Sequence, residues 1–156
     1  MTRYSVERAT EEDAFFVAAN LRPQDLQELE ASSDAPAEYS LARSFQVSRD
    51  TFVGKIDGVP ACLFGVYSPT VLTSYGHPWF YGTVLLKGHE SAFLRRCRPW
   101  VVETAQRYGR LTNWVDARNR KAILWLRWLG FEVSEETVTI GPRNLLFHPY
   151  RYEGEK

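Results

Sequence analysis

Three groups of residues in this chain have types and spacings that could do chemistry. Arg22, Asp25 and Glu28 recur every three positions and would share one face of a helix, where two carboxylates could hold a protonated amine. A solvated face with local ion pairs is the plainer alternative. The run Leu86-Lys87-Gly88-His89-Glu90-Ser91 joins an apolar segment to the start of a long helix. A helix start presents unpaired N–H groups and a partial positive charge, which suits a phosphate, although a Ser or Glu cap would use the same groups. In Asn119–Phe131, Ala122, Trp125, Leu126 and Leu129 form a helical core stripe. Leu124 and Trp128 fall on the other side, among Arg120, Lys121 and Arg127. They could cover a partner or pack under the C-terminal segment, where Tyr150 and Tyr152 need neighbours.

Other chemistries are poorly served. A zinc site needs four converging ligands, and Cys62, Cys97, His77, His89 and His148 are scattered without paired spacing, so no metal is expected. Neither a P-loop nor a dinucleotide-binding glycine fingerprint is present. Cys97 lies on the apolar stripe of its helix, which favours packing over nucleophilic catalysis.

The elements that must position these residues follow from periodicity. Tyr4–Ala9 alternates as a strand, and Thr10, followed by Glu11, Glu12 and Asp13, caps a helix reaching Asn20. Pro23 opens a second helix to Ala31, and Ala37–Ser48 forms a third, with Leu41, Ala42 and Phe45 inward. Thr51–Ile56, the Asp57-Gly58 turn and Val59–Tyr67 read as a hairpin. Pro69–His77 reads as a loop, and the apolar run Trp79–Leu86 as a buried central strand. His89–Tyr108 is the longest helix, with Phe93, Cys97, Val101, Ala105 and Tyr108 on one face. Leu111–Ala117 is a strand, and Arg118–Leu129 a helix closed by Gly130. Phe131–Thr137 and Val138–Phe147 complete an α/β (α+β) domain with a mixed, mostly antiparallel sheet of six or seven strands.

Composition bounds the rest. The 156 residues suit one domain, 1–156, and 19 basic against 19 acidic side chains give no net charge. The balance conceals an asymmetry: residues 1–50 carry five basic and ten acidic side chains, and 87–127 ten basic and three acidic. An acidic front could meet a cationic acceptor and a basic back an anionic cofactor. No DNA-binding spacing accompanies the basic half. No stretch approaches a membrane span, and two unpaired cysteines suit a reducing compartment, so a soluble intracellular protein is expected.

The element order, the strand running into Asn119, and Leu129-Gly130-Phe131 resemble the GNAT N-acetyltransferases. Several runs are more narrowly similar to GNAT-like proteins of tailed phages, a group that includes the internal virion protein A of podophages. They include Arg22-Pro23-Gln24-Asp25-Leu26-Gln27-Glu28, Asp57-Gly58-Val59-Pro60, Phe64-Gly65-Val66 and Gly76-His77-Pro78-Trp79. A further run extends from Leu111 to Asn119.

The resemblance implies a sheet splayed between Trp79–Leu86 and Leu111–Ala117, with acetyl-CoA or another acyl-CoA entering the gap. Val84, Leu85, Leu86, Lys87, Gly88, His89, Ser91, Ala92 and Asn119 would bind it. Arg22, Asp25 and Glu28 would bind the acceptor, a protein or a small-molecule amine. Glu90 and His77 are the candidate acid–base groups, because Leu126 stands where many GNAT enzymes carry an acid tyrosine. The expectation is a phage-encoded N-acyltransferase of the bacterial host cytoplasm, monomeric or homodimeric. The alternative is a GNAT-fold binding protein without turnover, acting in virion assembly or on a host enzyme through Leu124 and Trp128.

Overall fold

The computed structural model describes residues 1–48, 50–68 and 75–153. β1 (Tyr4–Arg8), β2 (Asp50–Ile56), β3 (Val59–Tyr67) and β4 (His77–Gly82) form one antiparallel sheet in that order. α1 (Glu11–Ala19), α2 (Pro23–Ser32) and α3 (Ala37–Val47) lie between β1 and β2 in sequence. α4 (Glu90–Tyr108) leads into a second sheet, β5 (Arg110–Asp116), β8 (Leu145–Glu153) and β6 (Glu132–Val133), with β7 (Val138–Ile140) also paired to β8. α5 (Arg120–Leu129) connects β5 to β6.

Local chemistry explains these boundaries. Asp13 N–H donates to Thr10 Oγ1 at 3.2 Å and Thr10 N–H donates to Asp13 Oδ2 at 2.9 Å, a reciprocal cap that fixes where α1 begins. Asn119 Oδ1 accepts from Ala122 N–H and starts α5, which ends at Gly130 in the left-handed region. The tight Asp57-Gly58 turn joins β2 to β3, with both residues at positive φ.

Alternation along β3 divides the interior. Leu63 packs with Ala14, Val17, Leu41 and Val53 beneath α1 and α3. Cys62 and Phe64 pack with Leu86, Phe93 and Cys97 beneath α4. A third cluster, including Val101, Leu111, Phe131 and Tyr150, holds α4 and α5 against the second sheet. Cys62 and Cys97 are free and buried. Burial raises both thiol pKa values, that of Cys97 to about 12, so neither is a ready thiolate at neutral pH.

Three expectations need correction. The strand read over Trp79–Leu86 stops at Gly82, and Val84–Leu86 form a 3₁₀ turn whose Leu85 N–H donates to Thr83 Oγ1. Apolar content alone does not distinguish a strand from a buried turn: Leu86 fills the core while Val84 and Leu85 face solvent. The strand read over Val138–Phe147 is two strands, separated where Gly141 and Asn144 take positive φ. The final strand instead runs through Pro149 to Glu153 and lies between β5 and the short β6 and β7. Pro149 is tolerated because its carbonyl accepts from Ser134 N–H, which turns its missing donor toward the break between β6 and β7. The Pro69–His77 loop falls mostly outside the described residues; its last member, His77, opens β4.

Candidate functional site

The two sheets meet where β4 and β5 run side by side, joined by one parallel bridge between Gly76 and Leu111. Gly76 N–H donates to Arg110 O at 2.7 Å and Thr112 N–H donates to Gly76 O at 2.9 Å. One step further, the strands are no longer paired. Asn113 Nδ2 reaches across to Pro78 O at 2.7 Å, and beyond that point the strands part. Because strand residues alternate, Gly76, Pro78, Phe80 and Gly82 all turn their backbone polar groups toward β5. Pro78 O is taken by Asn113, and Gly82 by α2. The N–H and C=O of Phe80 therefore face the gap.

That gap is a cavity of about 280 Å³, largely apolar in its lining. Phe64, Phe80, Leu86, Phe93, Cys97 and Trp100 wall one side. Ala122, Trp125, Leu126 and Leu129 face it from α5, so the expected core stripe of that helix is half-buried against open space. Trp79, Tyr81, Ile140, Phe147 and Tyr150 also line it, together with Glu28 from α2.

The Arg22–Asp25–Glu28 triplet does not act as one group. Arg22 and Asp25 are both buried and paired twice, Nε to Oδ2 at 2.7 Å and Nη2 to Oδ1 at 3.1 Å. Asp25 Oδ2 also accepts from Gly82 N–H at 2.8 Å, and Arg22 N–H donates to Gly82 O at 2.9 Å. The guanidinium lies over Phe80 and Trp125, 5.8 and 5.4 Å from the ring centroids. Residue 82 must be glycine here, since a Cβ would come within 2.6 Å of Arg22 Nε. The pair therefore pins the start of α2 to the end of β4, and both of its charges are used.

Glu28 is different. Its Oε1 accepts from Asp116 N–H at 2.8 Å, and Asn119 supplies a further side-chain hydrogen bond. Burial raises its pKa from 4.5 to about 7, assisted by the nearby Asp25 and Asp116 carboxylates, while the Asp116 N–H opposes the rise. The charge of Asp116 is itself held by Arg118, whose Nη2 lies 2.7 Å from Oδ2. Glu28 is thus a cavity-lining carboxylate with no cationic partner of its own among the described residues, titrating near neutrality.

At the opposite end, α4 begins without a side-chain cap on its first turn. Gly88, at positive φ, donates its N–H to Glu90 Oε2 at 2.7 Å, and Lys121 Nζ lies 2.9 Å from Glu90 Oε1. Although partial burial opposes it, these donors hold the Glu90 carboxyl below its ordinary pKa. His89 Nδ1 bonds to the Tyr4 hydroxyl at 2.8 Å. Lys87, Gly88 and Ser91 are exposed, and Ala92 is half-buried.

His77 does not line the cavity: its ring stacks on Tyr67 and Trp114, and Nδ1 bonds to Thr112 O at 2.8 Å. Leu124 and Trp128 are 64% and 45% exposed, with Arg98 lying over the Trp128 ring. Tyr150 and Tyr152 pack on Phe131 instead, so these two α5 side chains are not covered by the C-terminal strand. Trp79 and Tyr81 are cavity residues that sequence alone left in a buried strand, and Tyr150 one that it left in the C-terminal segment, because strand alternation does not say which buried face meets a void.

No family model and no curated protein matches the chain. Solved structures do. The yncA protein of Salmonella typhimurium, solved with its cofactor acetyl-CoA, superposes with a TM-score of 0.72 at 15% identity over 98% of this chain and 95% of that one. A GNAT-family acetyltransferase of Streptococcus pneumoniae gives 0.66 at 13% over 98% and 100%. A chimeric spermidine N-acetyltransferase from Vibrio cholerae gives 0.68 at 13% over 96% and 95%. The fold is therefore that of the GNAT acetyltransferases. No described helix is long and apolar enough to cross a membrane, and the described residues contain no cluster of His, Cys, Asp and Glu able to hold a metal.

Proposed function

We propose that residues 1–156 form a single GNAT-like domain that transfers an acyl group from acyl-CoA to an amine. The observation that carries this reading is the parting of β4 and β5 around a cavity that holds one unpaired carboxylate, Glu28. Fit to the cofactor is good along its length and contested at one end. The apolar walls and the Phe80 backbone suit the amide-bearing arm of CoA. Lys87 precedes the start of α4 and Lys121 reaches it, but the Glu90 carboxylate stands on the Gly88 N–H and on Lys121.

Bound acyl-CoA would supply an activated acyl carbon. The chain's own contribution is to bring an amine to it and remove a proton. Glu28, ionised above about pH 7, accepts that proton as the C–N bond forms and the C–S bond breaks. The sulfur leaves as thiolate and is protonated from solvent, so an amine and a thioester become an amide and a free thiol. Leu126 lines the cavity and has no proton to give, so no protein acid is assigned.

Titration calorimetry with acetyl-CoA and with CoA tests the reading: micromolar binding supports it, and no heat at millimolar ligand overturns it. Glu90→Gln provides an internal check. Removing a carboxylate from the anion's position should tighten CoA binding about tenfold, and the gain should shrink at high salt. Unchanged affinity would mean that the diphosphate does not approach Gly88 and Lys121.

A second reading draws on the exposed Leu124 and Trp128, and on Glu90 and Leu126 where cofactor and acid would act. In it the chain is a phage GNAT-fold protein that binds a host enzyme or virion component without turnover. Leu124→Ala with Trp128→Ala should then abolish incorporation into the virion while leaving the melting temperature and CoA binding unchanged. Normal incorporation of the double variant would sink the surface.

A further inference from the structure

We infer that the cavity is built for a small primary monoamine with an apolar, preferably aromatic, body, its ammonium on Glu28 and its body against Trp79, Tyr81 and Tyr150. This deepens the acceptor side of the acyl-transfer reading and rests on it for the chemistry, but not for the binding. Unspent charge in the cavity sets the class of acceptor. Among the described residues lining the cavity, Arg22 is the one basic side chain, and Asp25 already occupies it with two hydrogen bonds. An acceptor carrying a carboxylate, phosphate or phosphinate would bury that group with no free cation among these residues to balance it. Of the acidic lining residues, Asp25 is held by Arg22 and Gly82, and Glu90 by Lys121 and Gly88. Glu28 alone remains for a cation. A polyamine would therefore satisfy one nitrogen and desolvate the others.

The walls set the body. Aromatic faces attract an ammonium and pack against a planar group, and Trp79, Tyr81 and Tyr150 share the cavity with Glu28. The cavity is also closed at one end, where Ser32 and Ile140 line it. The turn between β7 and β8 closes directly on the end of α2: Gly141 sits at positive φ, and a Cβ there would collide with the Ala31 carbonyl.

The test compares four probes by calorimetry at pH 8, with and without CoA: phenethylamine, phenylalanine, spermidine, and a short peptide with one internal lysine. Phenethylamine should bind at least tenfold tighter than each of the others, and Glu28→Gln should weaken it at least tenfold while the variant's melting curve stays cooperative. Phenylalanine differs only by its carboxylate, so equal binding of the two overturns the unspent-charge argument. Tighter binding of spermidine or the peptide overturns the monoamine class, and so does phenethylamine binding that is absent or indifferent to Glu28→Gln. Phenethylamine binding by a protein that takes up no CoA would uphold this inference and remove acyl transfer. CoA binding without phenethylamine binding would do the reverse.

Discussion

Glu28→Gln should make the protein more stable at pH 8 while removing most of its turnover. The two effects have one cause. A carboxyl whose pKa is about 7 when folded and near 4.5 when unfolded keeps its proton in the folded chain after the unfolded chain has lost it. The unfolded state then binds fewer protons, so stability falls as pH rises from about 4.5 to 7, and above that the full cost remains, about 3 kcal/mol. Glutamine is neutral throughout and its carbonyl can still accept the Asp116 N–H. The variant should gain up to that amount at pH 8 and almost nothing at pH 4, read by denaturant melts at the two pH values. Turnover moves the other way. A positioned base contributes about 10²–10⁴-fold, so kcat/KM for an amine should fall by at least 10², and the acidic limb of the wild-type profile near pH 7 should vanish. A variant that gains stability at pH 8 yet keeps the limb would show that Glu28 is strained but takes no part in proton transfer.

The same residue shows how far a sequence carries such a reading. The spacing of Arg22, Asp25 and Glu28 places them on one helix, and the structure puts all three beside the cavity. Spacing says nothing about what comes to meet that helix. Asp25 and Arg22 find each other and the end of β4, whereas Glu28 finds the backbone of Asp116, 88 positions away, and no cation. The difference between a structural pair and a reactive carboxylate is set by these long-range partners. The ends of helices and hairpins were legible because their causes are local, as in the Thr10–Asp13 cap and the Asp57-Gly58 turn. The end of β4 was not, because it is set after Gly82 by the Thr83 side chain, which caps the turn Val84–Leu86, and by α2, which reaches across from a distant stretch of sequence to hold the backbone groups that Gly82 turns away from β3. The exposure of Leu124 and Trp128 was undecided for a related reason: the tyrosines that could have covered them pack on Phe131 once the last strand runs to Glu153.

Asp25→Ala should be among the most destabilising single changes in the chain, costing about 3–5 kcal/mol. The substitution leaves the Arg22 guanidinium buried without its counter-charge and Gly82 N–H without an acceptor, two penalties from the loss of one side chain. Asp25→Asn separates them: it can still accept from Gly82 but cannot balance the guanidinium, so it should fall between the wild type and alanine. If the cost lies in the orphaned charge, removing that charge as well should restore stability. Arg22→Met with Asp25→Leu keeps apolar bulk against Phe80 and Trp125, and should recover more than half of the loss, since well-packed apolar residues often replace a buried ion pair at little net cost. Chemical denaturation of the wild type, Arg22→Met, Asp25→Leu and the double variant measures the coupling directly. Additive single and double effects would mean that the pair does not hold α2 to β4. A rescued double variant that still binds amine would show that Arg22 and Asp25 build the wall on which Glu28 works and take no part in recognition themselves.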